Sequence, residues 1–465
     1  MQTFIKPLTE LAEFTEIRDR MRKGRGIYAL TGSIDAQKSH MVHGLSDGVK
    51  LVIVITENDL TAKAAHEDLR FFEPDALLYP AKDLLFYQAD IASNFLDMQR
   101  MRVFRSIAEA DRTVVVLPVA ALMDQVSTRE SFLDACISFD LEDETDLDWI
   151  KETLVENGYE RCAEVTLPGH FAVRGDIVDI WSLTEEHPFR IELFGDEIDS
   201  IRSFDAESQR SIEELRHILI YPANDHIGRL GTFMDWIPKA EKGANAAAIF
   251  IDEPTHIADA AGAVETEFRE SVKNRIAQGN YKKGDQIPEI KSADEVIASL
   301  NNRCCVALSM LELGRGAWDI RASFGATVQG MGSYNGSFEM LSGDLLKYKK
   351  KGYRIVVLSG SHTRAKRLAQ DLGSLDVPAF YTDNGDLELK PGQIAVEYGH
   401  VRRGFEYPLI KFAIISEGDI FGARQKKKKK RTRYTGEKIA SFAELHVGDY
   451  VVHENRGLCI YKGIE

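Results

Sequence analysis

Apolar residues recur along this chain in two periods, and the switch between them marks its parts. Unbroken apolar runs at Ile27 to Gly32, Leu51 to Thr56, Thr113 to Leu117 and Ala246 to Ile251 each lead into a stretch of helical period. Such strands, alternating with helices, predict a parallel sheet covered on both faces. Helices are expected near residues 95–108 and, as one amphipathic region, about 257–300. From about residue 131 to 220 the pattern changes to short runs of period two, with one helix from Leu147 to Gly158. Within this α+β module Phe171 to Asp205 reads as a β-meander. Phe189, Ile191 and Leu193 alternate with Arg190, Glu192 and Phe194, Gly195-Asp196 makes the turn, and Glu197 to Phe204 returns. The module's place implies an insertion into one α/β domain. Beyond residue 340 the α/β pattern resumes, and Ile355 to Leu372 echoes Ile53 to Leu69.

One position breaks the meander's pattern. Phe194 falls on the face of Arg190 and Glu192 rather than with the apolar set. An aromatic beside an arginine on an open sheet face is what a protein-docking anchor looks like. Taken alone, it fits a solvated face with one stray phenylalanine better, since single exposed apolar residues are common.

The first strand carries candidate chemistry. Gly32, Lys38 and Ser39 occupy positions of a phosphate-binding loop, GxxxxGK[ST], whose backbone wraps phosphate while its lysine reaches the outer oxygens. Gln37 stands where the second glycine belongs, so its side chain intrudes where backbone must approach phosphate. Asp252 and Glu253 end a strand as a metal-binding Asp and water-polarising Glu do, or as acidic residues at an ordinary strand-to-helix turn do. Together these residues predict a decayed nucleotide site. The glycines of Ser323 to Met340 lack a strand-turn-helix setting and predict a linker or irregular strand.

Charge changes the picture at one place. The net charge is −15, yet Arg424 to Arg433, RQKKKKKRTR, holds eight positive residues. The tract is a solvated linker or a non-specific DNA contact. Five cysteines without a CxxC spacing predict free thiols in a reducing cytoplasm, and no apolar run is long enough to span a membrane. After the tract, GDYVVH and LCIYKGI begin a β module that stops at Glu465, too short to bury a core, so the chain is expected to be truncated.

Three stretches carry a family resemblance. VRGDIVDIW with FRIELFGDEIDSIRSFDAESQRS resembles the UvrA-binding module shared with the excision-repair protein UvrB. SEGDIFG, the basic tract and AELHVGDYVVHENRG resemble the entry to a CarD-like RNA-polymerase-interaction domain. The degenerate loop at Gly32 resembles a decayed UvrB nucleotide site. Together, with the meander preceding the CarD-like entry, they resemble the N-terminal part of the bacterial transcription-repair coupling factors. Arg456, Cys459 and Ile460 depart from the family's usual His, Gly and Arg.

The resemblance implies a multidomain α/β fold. Residues 1–130 and 221–335 would form a degenerate RecA/helicase-like α/β domain, interrupted at 131–220 by an α+β UvrA-binding module. A second α/β domain would cover 336–422, a basic linker 423–440, and the start of a truncated SH3/Tudor-like module 441–465. It implies that Arg174, Arg190 and Phe194 contact UvrA, although Arg174 also reads as a structural arginine paired with Asp176 or Asp179. Truncating Arg190 or Phe194 is expected to abolish UvrA binding without changing the melting temperature. RNA polymerase, through its β subunit, would need the complete interaction domain. No cofactor is expected in this chain, ATP and Mg belonging to the motor of the full-length family member. The chain itself is expected not to be catalytic, and the UvrA-binding face to be open because the domain that masks it in the family is not part of this sequence. The rival reading is an ATP-binding, UvrB-like helicase or excinuclease subunit.

Overall fold

The apolar runs Gly26–Thr31, Leu51–Thr56, Thr113–Pro118 and Cys304–Ser309 are buried at every position, as strands covered on two faces must be. In the computed structural model they lie in one parallel sheet of seven described strands. Its order is Ile320–Gly325, Gly26–Thr31, Cys304–Ser309, Ala247–Asp252, Leu51–Thr56, Thr113–Pro118, Leu77–Leu78. The structure describes residues 2–22, 24–82, 94–238, 246–279, 289–314 and 316–422, with the backbone of 450–453 and 457–460.

Alternate residues of the same strands serve two cores. Ile53, Ile55, Ile249 and Ile251 pack with Phe104, Phe132 and Trp236 on one face. Val52, Val54, Phe250 and Leu308 face the other way. There they meet the helix Asp35–Leu45, buried from Gln37 to Leu45, and beyond it Val356, Leu358, Phe405 and Phe412 of a second sheet. That second sheet runs Gln329–Gly330, Phe405–Tyr407, Phe412–Ile415, Arg354–Ser359, Ile394–Tyr398, Ala379–Tyr381. Its last four strands are parallel. The echo between the two α/β units is structural. Asn58 caps the helix Asp59–Phe72 and Ser361 caps His362–Ser374, each directly after a buried strand.

The chain leaves the first sheet after Pro118 and returns to it at Ala247. The excursion forms a second six-stranded sheet, Ser211–Leu215, Glu197–Phe204, Phe189–Phe194, Ile177–Ile180, His170–Arg174, Glu160–Arg161. Neighbours in it are antiparallel except the last pair. One face packs on Ile150 and Leu154 of the helix Leu147–Glu156 and on the strand pair Ile137–Asp140 with His217–Ile220.

The neck of the excursion is stapled by charge. Arg100 is fully buried and donates to Asp124 on the outgoing chain at 2.8 Å and to Asp225 on the returning chain at 2.7 Å. Lys82 also pairs with Asp225. Val126–Ser127 and Leu230–Gly231 pair as short strands beside them.

The helical region expected at about 257–300 is helical over most of its described length. It contains two helices, Pro254–Ala277 and Ala293–Asn301, with residues 280–288 outside the described part between them. The glycine stretch after Ser323 ends the strand Ile320–Gly325, contributes Gln329–Gly330 to the second sheet, and so joins the two α/β units. The tract 424–433 and Arg456 lie outside the described residues. Tyr450–His453 and Gly457–Ile460 form an antiparallel hairpin in a unit of its own, with Cys459 paired to Val451.

Candidate functional site

The outward face of the meander gathers the arginines singled out in the sequence. Ala172 and Arg190 are both cross-strand partners of Asp179, which puts Asp179 and Arg190 on the face away from the core. Asp179 is 1% exposed, and its carboxylate accepts from three guanidinium nitrogens. Arg174 donates to Oδ2 at 2.6 Å, while Arg190 donates from Nε at 2.6 Å and from a terminal nitrogen at 2.9 Å. Gln209 accepts from the same Arg190 nitrogen at 2.8 Å, and the guanidinium carbon lies 4.3 Å from the Phe204 ring centroid. Arg202 pairs with Glu192 on the same face.

The two arginines differ in access. The Arg190 side chain is 13% exposed and that of Arg174 47%. Of the two partners considered for Arg174, the structure selects Asp179. That pair is not an exposed one of little worth, because its acid is buried.

Phe194 ends its strand 82% exposed. Pairing with the return strand shifts register between Glu192 and Leu193, then resumes with Phe194 opposite Glu197. Leu193 stays in the core while Phe194 stands free at the tip. Gly195 turns the chain with φ of +67°, a conformation an L side chain resists. The meander therefore carries a clamped arginine pair on its outward face and a bare aromatic at its tip.

The second candidate is the cleft at Lys38. Between Thr31 and the helix at Asp35 stand only Gly32, Ser33 and Ile34, a loop too short to wrap phosphate. Gly32 has φ of +76°, and a Cβ there would meet the carbonyl oxygen of Ala326 at 2.6 Å. Lys38 donates to Asp252 at 2.7 Å, Glu253 at 2.7 Å and Asp35 at 2.9 Å. Burial disfavours the ammonium, but Asp252, with Glu253 and Asp35, outweighs it and holds Lys38 well above its ordinary pKa. All three of its protons are spent on carboxylates. Ser39 is buried beside it. The cleft measures about 370 Å³, and carboxylates outnumber cations in its lining, where Arg402 is itself tied to Asp68 at 2.7 Å. A triphosphate meets no free cation among these described residues. Asp35, Asp252 and Glu253 have the spacing of a divalent-ion triad, but Lys38 sits among them.

The sequence offers Asp179 only as one of two possible partners of Arg174, not as the hub that also holds Arg190. Its signal was present: a charged residue on the polar side of one strand, facing an arginine-rich strand. The Arg100, Asp124 and Asp225 cluster had no such local signal, because its members come from distant segments.

Comparison with known proteins bears on the module that carries the meander. A family model described as the UvrB interaction domain matches residues 137–226, the excursion that carries the meander. The transcription-repair-coupling factor of Bacillus subtilis (strain 168) is 30% identical over 530 residues, covering all of this chain and 44% of that protein. This chain belongs to the transcription-repair-coupling factor family. The coupling factor of Staphylococcus epidermidis RP62A is 25% identical, covering 92% of this chain and 42% of its own length. That of Staphylococcus haemolyticus is 26% identical, covering 90% and 40%. The chain thus spans less than half the length of these coupling factors. No helix among the described residues is long and apolar enough to cross a membrane.

Proposed function

We propose that this chain recruits UvrA for transcription-coupled excision repair, docking it on the outward face of the meander. Phe194 fills a pocket on UvrA, and Arg174 and Arg190 meet its carboxylates. The single observation that carries this reading is the large, bare aromatic at the tip of a module matched by the UvrB interaction domain. An anchor of that kind typically accounts for more than about 2 kcal/mol of binding. The arginines enter the contact already held in place by Asp179, so little side-chain freedom is lost on docking.

The host sheet is read as a decayed helicase-like nucleotide fold that works here without ATP or Mg. Its parallel strands, the short loop at Gly32 and the occupied Lys38 support that reading over a UvrB-like ATPase. RNA polymerase contact through an SH3/Tudor-like module, and DNA contact through Arg424 to Arg433, belong to the same proposal for the whole family member. The deciding experiment is titration of UvrA with this chain and with Phe194→Ala. Loss of binding in the folded variant supports the reading, and unchanged affinity overturns it.

A further inference from the structure

The second α/β unit carries a surface that UvrA docking does not use. At the C-terminal end of its parallel strands, Tyr381 and Tyr398 rise on the same side of the sheet. Tyr381 is the partner of Val396, two residues before Tyr398 on the neighbouring strand. Val396 faces the helix His362–Ser374, and the first turn of that helix brings His362 over both tyrosines. The His362 and Tyr398 rings lie 4.3 Å apart at 32°, and His362 Nδ1 is 3.0 Å from the Tyr381 hydroxyl. One turn on, the Lys366 ammonium stands 5.1 Å from the Tyr381 ring centroid. Arg367 continues the basic face, its side chain 81% exposed. Tyr398 is 48% exposed, and Ala379–Tyr381 is the sheet's edge strand, so the rim is open.

The acids nearby are Asp371, which lies 3.8 Å from Arg367 one turn on, and Asp383, Glu397 and Glu417. Glu417 is engaged by Arg364. Glu397 is buried and alternates to the opposite side of its strand. Ordinary packing does not require a half-exposed tyrosine stacked on an exposed histidine at a sheet rim. Aromatic faces interleaved with lysine and arginine do suit a nucleobase joined to phosphate.

We infer that His362, Tyr381, Tyr398 and Lys366 form a stacking platform for an unpaired base of single-stranded DNA, with Lys366 and Arg367 on its phosphates. Bases stack on the open face of Tyr398, and the contact tolerates sequence because every base has a π-face. A paired duplex keeps its bases stacked inside and cannot use such a platform. The inference stands apart from UvrA docking, which involves another sheet.

The test uses the full chain and a short single-stranded oligodeoxynucleotide carrying 2-aminopurine, whose fluorescence falls on stacking. The expected result is saturable quenching. Tyr398→Ala should weaken it roughly tenfold, while Tyr398→Phe retains it. Lys366→Glu should lower the slope of log affinity against log salt by about 1 or more. Neutralising Lys426 to Lys430 should reduce overall affinity and leave quenching at saturation intact. Free AMP should bind far more weakly than the oligonucleotide. Unchanged quenching in a folded Tyr398→Ala variant overturns the platform, as does its loss in the Lys426 to Lys430 variant. Equal binding of AMP and the oligonucleotide overturns the assignment to a strand.

Discussion

Arg190 and Asp179 are cross-strand neighbours joined by two hydrogen bonds, of 2.6 and 2.9 Å, on the face of the meander turned away from its core. Because Asp179 is buried, this pair does structural work whatever else Arg190 touches. The expectation that Arg190 can be truncated at no cost in stability therefore fails on physical grounds. Arg190→Ala leaves a buried carboxylate with one remaining partner, and a loss of about 2–4 kcal/mol is expected. Denaturant melts check it. A variant as stable as the parent would show that Asp179 is satisfied by Arg174 alone.

Phe194→Ala has the opposite signature. The ring has no packing to lose, so the melting midpoint should stay within about 0.5 kcal/mol of the parent. UvrA affinity should fall by about 2 kcal/mol or more, roughly thirtyfold. Paired melts and titrations separate this variant from Arg190→Ala, where both quantities move together.

Lys38 is a built-in counter-ion, which makes a cation prediction. Lys38→Ala leaves Asp35, Asp252 and Glu253 facing one another without their ammonium. Stability should drop by about 2–4 kcal/mol. Millimolar Mn²⁺ should recover part of it, raising the melting temperature of the variant and not of the parent. A variant indifferent to Mn²⁺ would show that the triad cannot close on an ion. Calorimetry of the parent with Mg-ATP should show no heat of binding, and Gln37→Gly should not change that, because the loop stays short.

His40 gives the fold a pH limit. It is buried between the two sheets, its Nε2 2.8 Å from the Phe4 carbonyl and its Nδ1 3.2 Å from the Tyr407 hydroxyl. Nε2 must carry the proton, since a carbonyl only accepts. Burial pushes the imidazole down to about 3. A depressed histidine contributes stability that is complete above its unfolded value, about 6.5, and is lost as pH falls towards 3, at about 1.4 kcal/mol per unit. His40→Phe should be less stable at pH 7 but lose stability less steeply on acidification. Parallel pH profiles for the two proteins would remove His40 as the cause.

Much of this was legible along the chain. The strands at Ile27, Leu51 and Thr113 announce themselves because a strand buried on both faces is apolar except at its ends. The hairpin Phe189–Phe194 with Glu197–Phe204 reads off its alternation and its glycine turn. What stayed hidden depends on distance in sequence. Lys38 looks like half a phosphate site until the fold brings Asp252 and Glu253 to its ammonium. His40 looks like any helix residue until a second sheet closes over it. Arg190 looks like a free docking residue because nothing local says that Asp179 is sealed from water.

The neck at Arg100 has a mechanical consequence. One guanidinium grips the outgoing and the returning strand, out of reach of solvent that would soften the grip. On the proposed docking, a pull applied at Phe194 would not be absorbed by bending between module and host. It would reach the seven-stranded sheet as torque, much as a handle welded at two points turns the whole tool.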